Sequence, residues 1–117
     1  SHKGKGYTYD TGPELKVEKE LITRNILFNK QHSLCRIAIV DFYLPSFNIA
    51  LFVDGNFWHG NPKVFSDEYL KKYPKILETR EHDKQVNQIL TQNGYRVVRL
   101  WERDINAHVS QLIGNLI

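Results

Sequence analysis

The sequence predicts an α/β (α+β) fold in which helices pack on a small mixed sheet in the order α-β-β-(loop)-α-β-α. Three observations carry that expectation. Two apolar runs of strand type, 37–44 and 49–54, are joined by the turn-rich LPSFN segment and read as an antiparallel hairpin. A third β-branched and aromatic run, YRVVRLW at 95–101, follows a glycine. Around these runs lie stretches whose apolar residues recur at helical spacing.

Residues 1–10 are polar and Gly-rich and read as a tag remnant or linker, which leaves 11–117 as one domain. Thr11 begins a capping box, with Pro13 in the first turn and Glu14 at the third position, so a helix is predicted over 11–24. At 100° per residue Leu15, Val17, Leu21 and Ile22 flank an arc whose middle holds Glu14 and Glu18. Either Glu14 merely closes the capping box and Glu18 pairs with a lysine, or one of the two acids reaches a site. Residues 28–35, FNKQHSLC, read as a connector.

Period-2 alternation in the first strand puts Ile37, Ile39, Asp41 and Tyr43 on one face, and in the second it groups Ala50, Phe52 and Asp54. Carboxylates among Ile, Val and Phe cost free energy to desolvate unless a donor or cation meets them. Asp41 and Asp54 therefore either sit solvated or turn-bonded at strand ends or belong to a site, and Asp54-Gly55 is itself a good turn dipeptide. The NFWHG segment at 56–60 then sets two large aromatics and an imidazole just past a strand end, where sites are commonly built.

Residues 61–74 read as a long loop or short irregular helix. There Lys63, Lys71 and Lys72, with Lys75 just beyond, interleave with Phe65, Tyr69 and Tyr73, a pattern suited to phosphate contacts and base stacking, though ordinary charged loops share it. A second helix is predicted over 76–93 and ended by Gly94, with Val86, Ile89 and Leu90 as its stripe and His82 and Asp83 in the same arc. The 95–101 strand carries Arg96 and Arg99 on opposite faces. A last helix, 102–117, lines up Ile105, Val109, Leu112, Ile113 and Leu116.

Composition bounds the function. Of the 117 residues 41% are hydrophobic, 12% aromatic and 25% charged, as in an ordinary globular domain rather than a disordered chain. No apolar run approaches the ~20 residues needed to span a bilayer. The one cysteine, Cys35, excludes an internal disulfide framework and a Cys-rich zinc site, and it fits a reducing cytoplasm. A net charge of +3 permits a polyanionic partner.

Glu14, Asp41, His59 and Asp83 are the polar groups that a small core would force together. Three acids and a histidine under an aromatic, basic rim are what metal-assisted phosphodiester hydrolysis requires. Hard oxygens hold Mg²⁺, and a neutral imidazole takes a proton from water. An acid accepting the other imidazole N–H would fix its tautomer. The same set could serve a non-catalytic metal site. No serine or cysteine stands on a Gly-flanked elbow, which argues against a nucleophilic triad.

The segment IVDFYLPSFNIALFVDGNFWHG resembles the very-short-patch-repair endonucleases and their relatives in the PD-(D/E)xK nuclease superfamily. Within that group the chain is most similar to the catalytic domains of the EDxHD homing endonucleases of phage introns. The likeness spans roughly residues 11–102, through the acid-bearing strand, LF-x-x-G-x-FWH and GYRVVRLWE. It implies a three-layer restriction-endonuclease-like fold and a metal-dependent DNA endonuclease. Mg²⁺ is the expected cofactor and Mn²⁺ a substitute.

Carried over by position, the resemblance implies Glu14, Asp41, His59 and Asp83 as the catalytic set, with Phe28 and Gln31 in register behind Glu14. It also implies metal contacts from Asp41 and the main-chain carbonyl of Val53. Asp54 stands as an extra metal ligand or a turn residue. The ordinary superfamily pattern wants an acid near Phe52 and a lysine near Asp54, and their lack favours the histidine-based variant. Asn56, Gly60 and Asn61 replace the zinc-binding residues of the repair enzymes, so no structural zinc is expected. Phe57 and Trp58, with Lys63, Lys71 and Lys72, are the candidate DNA contacts, although aromatics beside a strand also serve a core.

The expected partners are double-stranded DNA, a separate recognition domain and, for double-strand cleavage, a second copy of the chain. A mismatch- or lesion-directed nickase, an RNA-directed nuclease, or a nucleic-acid-binding module with a degenerate site are the alternatives.

Overall fold

The computed structural model describes residues 12–117, so Thr11 and the predicted linker lie outside the described residues. The elements are α1 (Gly12–Thr23), β1 (Asn29–Leu34), β2 (Ala38–Leu44), β3 (Ile49–Asp54), α2 (Asp67–Leu70), α3 (Pro74–Gln92), β4 (Arg96–Trp101) and α4 (Glu102–Gly114). One sheet, ordered β1-β2-β3-β4, is antiparallel across its first two pairs and parallel between β3 and β4. The predicted class holds, with one strand added. No helix among the described residues is long and apolar enough to cross a membrane.

Two apolar clusters flank the sheet and make three layers. On one side Phe42, Leu44, Ile49, Leu51, Val53 and Leu100 meet Val17 and Leu21 of α1 and Ile105 and Ile113 of α4. On the other side Val40, Ala50 and Phe52 meet Val86 and Leu90 of α3. β3 is buried along its whole length, as its position between two strands and two helical layers requires.

Helix α1 differs from its expected stripe. Glu14, Val17 and Leu21 are buried, whereas Leu15 and Ile22 are exposed, because α1 leans on α4 with one narrow face. Glu18 is half-buried and pairs with Lys30 Nζ at 3.1 Å. Helix α2 is capped by Ser66, whose Oγ accepts from Tyr69 N–H at 3.1 Å. Helix α3 starts on Pro74, two residues earlier than expected, and Gly94 ends it with a φ of +91°. α4 kinks at His108, whose φ of −147° leaves the helical region.

The segment read as a connector is strand β1. It joins β2 through the three-residue loop 35–37, in which Cys35 and Arg36 both have positive φ (55° and 57°) and Ile37 N–H donates to Leu34 O at 2.9 Å. Gln31 also adopts a positive φ, 48°, in mid-strand, and the pairing ladder skips Gln31 opposite Asp41. The side-chain alternation reverses there. Phe42 and Leu44 face α1 and α4, but Ala38 and Val40 face α3 together with Tyr43. The single face expected for Ile37, Ile39, Asp41 and Tyr43 is therefore corrected: the hairpin turns over at Gln31 and Asp41, leaving Ile37 and Ile39 exposed.

Candidate active site

The ladder between β2 and β3 ends at Phe42 opposite Leu51, while β3 stays paired with β4 as far as Asp54 opposite Trp101. Past Phe42 the two strands part. Val53 N–H donates instead to Asp41 Oδ2 at 2.7 Å, so the Asp41 side chain takes the place of a ladder acceptor at the mouth of the gap. Gln31 Nε2 lies 3.4 Å from Asp41 Oδ1 and 3.4 Å from Glu14 Oε2 and links the two acids. Glu14 is fully buried on α1 and reaches the site through that amide. Burial pushes the Asp41 carboxyl above its ordinary range; the Val53 N–H opposes this and the neighbouring Glu14 adds to it.

A cleft of about 350 Å³ holds Asp41, Val53, Asp54, His59 and Asp83 together. Asp83 projects from α3, and its Oδ2 lies 2.6 Å from His59 Nδ1. A carboxylate in that place accepts from Nδ1–H, which leaves Nε2 as the basic nitrogen. The turn carrying His59 is fixed by main-chain bonds, His59 N to Gly55 O at 3.2 Å and Gly60 N to Phe57 O at 3.0 Å. Asn61 Nδ2 donates to Asn56 Oδ1 at 3.1 Å, and Glu102 Oε1 accepts from Asn56 N at 3.2 Å, so amides and a carboxylate knit the segment.

Asp54 is almost entirely buried. Both its oxygens lie 3.1 Å from Arg99 Nη1, whose guanidinium sits over the Phe52 ring at 4.0 Å and donates from Nε to Asn87 Oδ1 at 2.7 Å. Burial raises the Asp54 carboxyl, with Arg99 and then His59 pulling it back. Asp54, His59 and Asp83 bring ligand-type atoms within 4.8 Å of one another, but Arg99 Nη1 also lies 3.6 Å from Asp83 Oδ1 and supplies the positive charge there. Sequence reasoning missed Arg99. Its only signal was an arginine on the sheet face that also carries Asp54.

The aromatic rim is continuous. Phe57 packs edge-on against Trp58, Phe65 and Tyr73 at 5.2–5.5 Å, and Phe65 stacks on Tyr69 at 5.4 Å. Phe57 is half-buried in this cluster, while Trp58 is 52% exposed. Lys63 pairs with Asp104 at 3.3 Å and Lys71 with Glu68 at 3.0 Å, and Lys72 Nζ lies 5.9 Å from the Tyr69 ring centre.

The chain has relatives among known proteins. The family model described as DNA mismatch endonuclease Vsr matches residues 4–63. A Type II nicking enzyme of Haemophilus parainfluenzae (V.HpaIIP) is 31% identical over 115 residues, covering 90% of this chain and 74% of that enzyme. The chain belongs to the Vsr endonuclease family. A second Type II nicking enzyme, V.NmeDIP of Neisseria meningitidis serogroup C, is 30% identical over 110 residues, covering 90% of this chain and 71% of its own length. Among solved structures, the catalytic domain of the homing endonuclease I-Bth0305I superposes with a TM-score of 0.62 at 25% identity, covering 92% of this chain and 94% of that one. This Vsr-family chain thus has the fold of a nuclease catalytic domain.

Proposed function

We propose that this Vsr-family chain is a Mg²⁺-dependent DNA endonuclease in which His59 is the general base. The observation that carries the reading is the 2.6 Å contact between His59 Nδ1 and Asp83 Oδ2 in the same cleft as Asp41. Asp83 holds the proton on Nδ1 and turns Nε2 toward the cleft as a base. Water attacks phosphorus, its proton passes to His59 Nε2, and the bond from phosphorus to the leaving sugar oxygen breaks.

The donor chemistry fits a hard divalent cation. Asp41 is a carboxylate that burial makes costly to ionise, which favours a positive partner. The N–H and C=O of one strand residue point to the same edge, so the Val53 carbonyl shares the gap with Asp41. Asp41 and this carbonyl would hold Mg²⁺, with Glu14 supporting Asp41 through Gln31. Bound there, the cation would supply charge to a non-bridging phosphate oxygen and the leaving oxygen. Asp54 is assigned to Arg99 rather than to the cation.

Phe57, Trp58, Lys63, Lys71 and Lys72 are the proposed duplex contacts on the rim. One site per chain cuts one strand at a time, in line with the relatives named as nicking enzymes. Double-strand cleavage would need a second copy, and a long target a separate recognition domain.

The test is supercoiled plasmid with Mg²⁺ or EDTA, beside His59→Ala and Asp41→Ala variants checked by circular dichroism and duplex binding. Nicked product is expected with Mg²⁺ alone, and His59→Ala should lower its rate about 10²–10⁴-fold with binding kept. Cleavage at the wild-type rate in His59→Ala or in EDTA would overturn the mechanism. Binding without cleavage under any divalent metal would point to a degenerate binding module.

A further inference from the structure

We infer that the tip of the β1–β2 hairpin is a second duplex-contacting element, a finger beside the scissile phosphate formed by Arg36, Ile37 and Ile39. The inference rests on the nuclease reading above and adds a surface to it. After the turnover at Gln31 and Asp41, the hairpin buries Leu34, Ala38 and Val40 on α3 and turns its other face outward. Ile39, on β2, is left 64% exposed and Ile37, in the turn just before it, 36% exposed, so two β-branched apolar residues face outward close together at the hairpin tip. Both line the cleft that holds Asp41 and His59, so whatever lies in the cleft passes against them.

Charge identifies the occupant. Residues 21–40 contain no Asp or Glu but carry Arg24, Lys30 and Arg36. Arg24 is spent on Glu20 and Lys30 on Glu18. Arg36, at the apex of the turn, is exposed and has no ion-pair partner among the described residues. An exposed arginine leading two exposed isoleucines suits a polyanion with an apolar interior reached through a groove: Arg36 meets phosphate, and Ile39 presses on base edges or wedges at a step. The duplex is then gripped from two sides, by the Phe57 and Trp58 loop and by this hairpin.

The experiment measures duplex binding by fluorescence anisotropy over a salt series in Ca²⁺, with plasmid nicking in Mg²⁺ run in parallel. The proteins are wild type, Arg36→Ala, Ile39→Ser and, as a control at an exposed leucine outside the cleft, Leu27→Ser. Arg36→Ala should reduce the slope of log K against log salt by about 1. Ile39→Ser should weaken binding about tenfold with an unchanged slope, and Leu27→Ser should behave as wild type. If wild type binds and nicks DNA while Arg36→Ala and Ile39→Ser match it, the finger is refuted and the nuclease reading stands. If wild type neither binds nor nicks, the nuclease reading falls and takes the finger with it. Equal weakening by Leu27→Ser would also refute the finger, since the effect would then be general.

Discussion

Gly60 follows the proposed base and has a φ of +63°, where an L side chain is strained. A Cβ there would lie 2.8 Å from Arg80 Cδ, 3.0 Å from Ile76 Cγ2 and 3.1 Å from Leu70 Cδ1. Arg80 can swing away, but Ile76 and Leu70 are buried and cannot. Gly60→Ala therefore adds left-handed strain of about 1–2 kcal/mol to crowding of about 1–3 kcal/mol, together roughly 2–5 kcal/mol. At ~2.1 cal/mol/K per residue this corresponds to a fall in Tm of roughly 8–20 °C for a chain of this length.

Gly94 separates the two contributions. Its φ is +91° and a Cβ there would meet nothing within 4 Å, so Gly94→Ala carries strain alone and should lower Tm by about 4–8 °C. Scanning calorimetry of the two variants decides the matter. Equal shifts would refute the claim that the His59 turn is locked against α2 and α3 by contact. Where Gly60→Ala still folds, its nicking rate should fall as well, because His59 is displaced from Asp83.

Other outcomes follow from the buried charges. Asp41 has a raised carboxyl pKa, so it binds its proton more tightly folded than unfolded. Its stabilising contribution is full below the ordinary carboxylate range and is lost as pH rises through the raised folded value. Asp41→Asn should accordingly be inactive yet melt no lower than wild type at pH 7.5, with any advantage shrinking toward pH 4; a large drop at pH 7.5 would contradict this. Arg99→Met leaves Asp54 buried without its cation and should destabilise by about 3–5 kcal/mol in urea, most of it restored by adding Asp54→Asn. If the double variant is no better than the single one, the pair is not the source of the loss.

Most of the fold was legible because long, strongly patterned segments announce themselves. The paired runs of β2 and β3, the Gly-ended α3 and the β-branched β4 needed no tertiary information. Strand β1 was not legible, since NKQHSL offers no apolar alternation and forms an edge strand through its ladder with β2. The reversal at Asp41 was hidden for a related reason: period-2 reading assumes an unbroken strand, and nothing in Gln31 signals a left-handed backbone. Glu14, Asp41, His59 and Asp83 of the candidate site stood out as polar groups on faces meant for a core. Of their partners, only Gln31 was named, by resemblance, behind Glu14; its link to Asp41 and the role of Arg99 were not. Gln31 joins Glu14 to Asp41, and Arg99 meets Asp54, only after strands distant in sequence are laid side by side.

Strand β1 also bears on how the molecule behaves among its own copies. Among the described residues β1 is the outermost strand, and such a strand offers a row of main-chain donors and acceptors on which another strand could grow. Here that row is interrupted halfway along by the positive φ of Gln31, and the strand's side chains are mostly polar. An incoming chain would find its bonding partners out of step after three residues. The same backbone feature that brings an amide between two acids thus guards the sheet's margin against fibrous association.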